Sequence, residues 1–198
     1  MKRLVLKFGG TSVGTIEKIK EVANIIKKRH DKDNEIIVVV SAMSNVTNDL
    51  KAKSNQISKN FHEKELDVLL SSGEQISSSL LSGAIIELGL EARSWLGWQI
   101  PIITNNSHTA SQIIQIKTQE VLKFISNKGI AVIAGFQGVT MEGRITTLGR
   151  GGSDLSAVAV AKFFKTDSCE IYTDVEGVLT TDPSINEKAK KIDKISYE

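Results

Sequence analysis

The residues with the clearest chemical potential sit in glycine-rich turns. Residues 3–14 read RLVLKFGGTSVG. Leu4, Val5, Leu6 and Phe8 make a short apolar strand, Lys7 lies near its end, and Gly9-Gly10 follow. Glycines after a strand let the backbone turn tightly and point successive N–H groups outward. A helix N-terminus just beyond adds a partial positive charge and free donors. With Lys7 beside them, these groups form a seat for phosphate. The order is not that of a Walker A loop, in which the lysine follows the glycines, nor is it G-x-G-x-x-G. A strand, a tight turn and a surface lysine account for the same segment equally well.

Three further charged residues stand beside glycines. Glu74 follows Gly73 at an expected helix start, where it caps the helix or offers an anion to an ammonium group. Arg150 is one of only five arginines and is flanked by Gly149, Gly151 and Gly152. It is either a solvated loop residue or a bidentate partner for a carboxylate that the glycines let approach. Asp154 opens the next helix as its N-cap or as a functional carboxylate. No Ser-His-Asp or Cys-His constellation is visible. The single cysteine, Cys169, reads as a small buried thiol. With His30, His62 and His108 it shows no metal-ligand spacing, so no metal ligand is nominated.

These groups must be held by regular elements. The chain has 198 residues, 40% of them hydrophobic and 24% charged, as in an ordinary globular domain. Its net charge of +2 gives no electrostatic case for nucleic acid or an acidic membrane surface. No signal peptide and no 18-residue apolar span appears, so a reducing cytoplasm is the simplest compartment.

Ile16, Ile19, Val22, Ala23 and Ile26 form an apolar stripe that predicts a helix over 15–29. Residues 36–40 are a run that reads as a strand buried on both faces. Helices are expected over 46–59 and 64–70, with Ser71-Ser72-Gly73 as a break before a second helix from Glu74 to about Leu88. A strand is expected at 100–104, a helix at 113–127, and a strand at 130–134. A hairpin over 140–148 precedes an alanine-rich helix at 155–164. A strand at 169–173 and a loop or hairpin at 174–183 follow. Apolar strands alternating with helices indicate an α/β fold, an αβα sandwich with a mainly parallel central sheet. Ligands in such sheets sit beyond the C-terminal ends of the strands.

Taken together, the clusters resemble the aspartokinases, within the amino acid kinase family. The resemblance rests on KFGGTSV at 7–13, SAM with Thr47 at 41–47, SSGEQIS at 71–77, AGFQG at 134–138, TTLGRGGSD at 146–154 and EIYTDVEGV…TTDP at 170–183. It implies a kinase that transfers phosphate from ATP, with Mg2+, to the side-chain carboxylate of L-aspartate, opening lysine, threonine and methionine biosynthesis. By resemblance Lys7 and Asp154 are catalytic, with Asp154 orienting Lys7 or organising Mg2+. Lys7, Phe8, Gly9, Gly10, Thr173, Asp174, Leu179, Asp182 and Ser184 bind ATP. Ser41, Thr47, Glu74, Phe136, Arg150, Gly151, Gly152 and Ser153 bind substrate; core packing explains Phe136 nearly as well. The resemblance also implies a homo-oligomer.

The chain departs from the family pattern at several points. Ser44-Asn45 stand where glycine is usual, and of a His-Gly and arginine loop only His108 remains. Leu179 and Ser184 replace a tyrosine and an arginine on the nucleotide side. The whole chain reads as one kinase catalytic domain that stops before a later lysine-bearing segment and before the regulatory ACT domains. Two alternatives remain: a truncated, non-catalytic ligand-binding paralogue, or another family member such as an acetylglutamate kinase.

Overall fold

A computed structural model describes residues 1–174, 177–181 and 185–196. Five strands form one parallel sheet in the order β3-β6-β2-β1-β9. These are β1 (Arg3–Phe8), β2 (Glu35–Val40), β3 (Ala92–Trp95), β6 (Ile130–Ala134) and β9 (Ser168–Tyr172). β1 lies between β2 and β9, with Lys7 level with Val39 on one side and Ile171 on the other.

The strand side chains alternate between two cores, as a pleated strand requires. Leu4, Leu6, Phe8, Ile36, Val38 and Val40 pack under α1 (Ile16–His30) and α3 (Glu63–Glu87), which contribute Ile19, Val22, Ile26, Leu81 and Ile85. Val5, Ile37, Val39, Ala131 and Ile133 pack on the other face against α4 (Gln119–Ser126) and α5 (Gly152–Phe163), through Val121, Ile125, Ala157 and Val160. The expected αβα sandwich with a parallel sheet is therefore the fold. α2 (Val46–Ile57) connects β2 to α3. Among the described residues, no helix is long and apolar enough to cross a membrane.

Three expectations need correction. The break at Ser71-Ser72-Gly73 is absent: α3 runs unbroken for 25 residues, about 38 Å. Ser71 and Ser72 donate to the carbonyls of Val68 and Leu69 within the helix, so their hydroxyls need no outside partner. Gly73 is a contact point, since a Cβ there would lie 2.8 Å from Ala42 Cβ.

The expected helix over 113–127 is divided. Ile113–Ile116 is a strand, β5, antiparallel to β4 (Ile102–Thr104), and only Gln119–Ser126 is helical. The β-branched isoleucines satisfy strand packing as readily as a helical stripe. β4 and β5 belong to a second, four-stranded sheet, β5-β4-β7-β8, that the sequence reading did not anticipate. β7 (Gln137–Val139) and β8 (Ile145–Thr147) form the hairpin expected around Met141-Glu142-Gly143.

Finally, α5 starts at Gly152 and its N-cap is Gly151, in the left-handed region at φ 72°. Asp154 thus lies inside the first turn and is not the cap. The short strand β3 was also missed; it is an edge strand in which Arg93 stacks over Trp95 at 3.8 Å.

Candidate active site

The turns flagged in the sequence converge beyond the C-terminal ends of the parallel strands. Gly9-Gly10 leave β1, Ser41 leaves β2, Phe136 follows β6, Thr173 follows β9, and Arg150 enters α5. They enclose two adjoining cavities, of about 430 Å³ and 640 Å³, which share Ala42, Thr47 and Asn48.

The smaller cavity is lined by Gly9, Gly10, Thr11, Ser44, Thr173 and Asp174. Its floor is a close approach of two turns. A Cβ on Gly10 would lie 2.8 Å from the Ala42 carbonyl oxygen. Ser44 Oγ donates to the Gly10 carbonyl at 3.0 Å, and Asn45 takes a left-handed conformation, φ 68°, as N-cap of α2. Asparagine tolerates that conformation better than most side chains. Ser44-Asn45 therefore make the turn that a glycine would otherwise make.

The larger cavity gathers Lys7, Ser41, Thr47, Glu74, Phe136, Arg150, Gly151, Gly152, Ser153 and Asp154. Lys7 lies in the odd-numbered, α5-facing register of β1. Its Nζ is 2.7 Å from Asp154 Oδ1, a charge-assisted contact across the β1–α5 interface. A Cβ on Gly9 would lie 3.5 Å from the same ammonium, so Lys7 sits where the two cavities meet. Gly152 gives way to the Phe136 ring, which would be 2.6 Å from a Cβ there. Phe136 itself is left-handed, at φ 66°, and its N–H donates to Ser156 Oγ at 2.9 Å.

Glu74 opens no helix, contrary to the expectation; it lies mid-way along α3 and is 3% exposed. Seven residues, two turns, separate it from Asp67 on the same helix. Its Oε1 accepts the Ala42 N–H at 3.0 Å, whereas its Oε2 is buried without a partner among the described residues. Burial pushes its carboxyl from an ordinary 4.5 up to about 7, against the lowering effect of the Ala42 N–H. Arg150, which lines the same cavity, is exposed, and none of the ion pairs among the described residues includes it. A buried, half-satisfied carboxylate and an exposed arginine outside the ion pairs of the described residues thus line one cavity.

Some expected nucleotide-side residues fall elsewhere. Phe8 is 1% exposed and stacks on Tyr172 at 4.6 Å between ring centroids, so its ring belongs to the core. Leu179 pairs with Lys191 in an antiparallel bridge and lines neither cavity. Asp182 and Ser184 lie outside the described residues. Lys51, Thr109 and Thr147 line the larger cavity without having been singled out. Lys51 was legible as the i+4 neighbour of Thr47 on one face of α2. Among the described residues, no three His, Cys, Asp or Glu side chains cluster as a metal site.

The fold and cleft define an α/β protein whose glycine-rich, lysine-bearing loop adjoins a pocket lined by a buried carboxylate and an arginine. The sequence model of the amino acid kinase family matches residues 2–198, and the chain belongs to that family. It is 50% identical over 198 residues to an aspartate kinase of Stutzerimonas stutzeri, covering all of this chain and 48% of that protein. It is 48% identical over 195 residues to an aspartokinase of Geobacillus stearothermophilus, covering 98% of this chain and 48% of that one. The chain spans about half the length of the curated relatives it matches. Among solved structures, the aspartate kinase from Synechocystis superposes with a TM-score of 0.83 at 45% identity, over 95% of this chain and 31% of that one. Aspartokinase III of E. coli, solved in complex with aspartate and ADP, gives 0.84 at 26% identity, over 97% and 54%.

Proposed function

We propose that this chain is the catalytic part of an aspartate kinase. It transfers the γ-phosphoryl group of ATP to the side-chain carboxylate of L-aspartate, giving 4-phospho-L-aspartate, the first step toward lysine, threonine and methionine. The observation that carries the reading is that Glu74, Arg150 and Lys7 line one cavity. The aspartokinases to which the chain is similar support it.

In this reading the unpartnered Glu74 Oε2 receives the α-ammonium, and Arg150 receives the α-carboxylate. Thr47, Ser41 and Ser153 complete the polar lining, and the side-chain carboxylate then points toward Lys7. The nucleophile needs no general base, because an aspartate side chain with a pKa of about 3.9 is already ionised at neutral pH. A carboxylate oxygen bonds to the γ-phosphorus while the bond from that phosphorus to the β–γ bridging oxygen breaks, and ADP leaves with the electron pair. Positioning and charge stabilisation supply the catalysis. Lys7 and the Gly10 amide face the transferring oxygens, the Gly9 N–H being spent on the Tyr172 carbonyl at 3.3 Å, and Asp154 holds the Lys7 ammonium in place. Mg2+ bound to the nucleotide phosphates would neutralise part of their charge, with Asp154 beside Lys7 and Asp174 beside Gly9 and Gly10 as the carboxylates that would hold it. Thr173 and Asp174 line the nucleotide side. A cytoplasmic location and a homo-oligomeric state accompany the proposal.

The test is to trap the acyl phosphate. The chain is incubated with Mg-ATP and hydroxylamine and with L-aspartate, L-glutamate, N-acetylglutamate or UMP. Hydroxamate with aspartate alone is the expected result. Hydroxamate with L-glutamate or N-acetylglutamate instead, or ADP release that depends on UMP and gives no hydroxamate, would overturn the substrate assignment, and neither hydroxamate nor acceptor-dependent ADP release with any acceptor would overturn catalysis by this chain.

A further inference from the structure

We propose that Asp67 is a positioning residue for Arg150, acting through the peptide of Thr109 and the hydroxyl of Thr147. It lies outside the substrate cavity and is 0% exposed. Burying a carboxylate costs several kcal/mol unless its oxygens are fully engaged, and these are. His108 Nδ1 lies 2.6 Å from Oδ2, Thr109 N–H donates to both oxygens at 3.0 and 3.2 Å, and Thr147 Oγ1 donates to Oδ1 at 2.5 Å. One side chain thereby joins α3, the 105–112 loop and β8.

What it holds is strained. Thr109 is left-handed, at φ 64°, a region that a β-branched residue enters only when its surroundings force it. The Thr109 carbonyl oxygen lies 3.2 Å from where a Cβ on Gly149 would be. Gly149 is itself left-handed, at φ 77°, and its carbonyl accepts the Gly152 N–H at 3.0 Å. The turn that carries Arg150 therefore rests on the Thr109 peptide. From the other side, Ser111 N–H donates to the Thr147 carbonyl at 2.9 Å, closing the support. Gly9, Gly10 and Thr173 hang on β1 and β9 and share none of these contacts. The Asp67 clamp thus bears on the acceptor half of the site and not on the nucleotide half.

The inference rests on the aspartate reading only in taking Arg150 as the carboxylate anchor. The test uses the full chain with Asp67→Asn and Thr147→Val, and it has two arms. Amide hydrogen exchange without substrate is expected to speed up at least tenfold in both 105–112 and 148–154 for Asp67→Asn, with β1 and β2 unchanged. Steady-state kinetics are expected to show the KM for L-aspartate raised tenfold or more and the KM for ATP within twofold of wild type. Thr147→Val, which spares the His108 and Thr109 contacts, should move both readouts the same way by less, and it carries the test if Asp67→Asn does not fold. Wild-type exchange in 148–154, or KM values for aspartate and ATP rising together, would overturn the proposal. A wild-type chain inert toward aspartate would overturn the aspartate reading alone, and the exchange arm would still decide whether Asp67 supports the Arg150 turn.

Discussion

Lys7 on β1 and Asp154 on α5 meet at 2.7 Å, although they lie far apart along the chain. The pair fixes the ammonium at the junction of the two cavities. Lys7→Ala and Asp154→Ala are each expected to lower turnover by about 10²–10³-fold, the range for losing one preorganised charge contact in a transition state. Circular dichroism should show an intact fold in both. Near-normal hydroxamate production by either variant would remove that residue from the mechanism.

Glu74 gives a pH signature. Its carboxyl ionises near 4.5 when exposed and near 7 in the empty folded site. The folded state therefore binds the extra proton between those values. The contribution of Glu74 to stability is fully present below about pH 4.5 and is lost as pH rises through 7. Glu74→Gln is expected to flatten that loss in thermal melts between pH 5 and 8. Substrate ammonium needs the ionised form, so the KM for aspartate should fall about tenfold from pH 6 to 8 in the wild type, as the ionised fraction grows. Glu74→Gln should raise the KM and abolish the trend.

Arg150 stands free of ion pairs among the described residues, so its substitution tests binding and not folding. Arg150→Ala is expected to raise the KM for aspartate roughly 10–150-fold, the equivalent of losing about 1.5–3 kcal/mol of charge-assisted hydrogen bonding. Arg150→Lys keeps the charge but not the planar fork, and should recover only part of the loss. Melting temperatures within a degree of wild type would accompany both, measured by calorimetry.

Two glycines should respond in opposite directions. Gly10→Ala places a Cβ 2.8 Å from the Ala42 carbonyl oxygen, backbone against backbone. A cost of about 1–3 kcal/mol corresponds to a melting point lower by about 3–10 °C in a domain of this size. Gly83, exposed within α3, has nothing within 4 Å of an added Cβ. Gly83→Ala should stabilise by about 0.5–1 kcal/mol and raise the melting point by about 1–4 °C.

Four strands of the large sheet and its helical faces were legible because each left a strong local mark, whereas the edge strand β3 was not. Apolar runs such as Ile36–Val40 announce buried parallel strands, and glycines around Arg150 announce a turn open to ligand. The rest depended on contacts distant in sequence. Ser71-Ser72-Gly73 look like a breaker until Ala42 is known to pack on Gly73. Ile113–Ile116 resemble part of a helix until β4 is there to pair with them. Glu74 was expected at a helix start because nothing local shows that it is buried two turns beyond Asp67 in one continuous helix. Asp67 itself stood in an unremarked helical stretch, and only His108, Thr109 and Thr147 converging on it show what it holds.

The position of β1 in the sheet bears on how the protein is made. One edge of β1 pairs with β2, which follows within a few dozen residues, but the other waits for β9, beginning at Ser168. At about 5–20 residues per second, a ribosome takes roughly 10–30 s to pass from one to the other. During that interval the nascent chain carries an apolar strand with an open row of backbone donors and acceptors, a template for pairing with another chain. Newly made chains are therefore most exposed to aggregation just before α5 and β9 emerge, and a holding chaperone would matter most in that window.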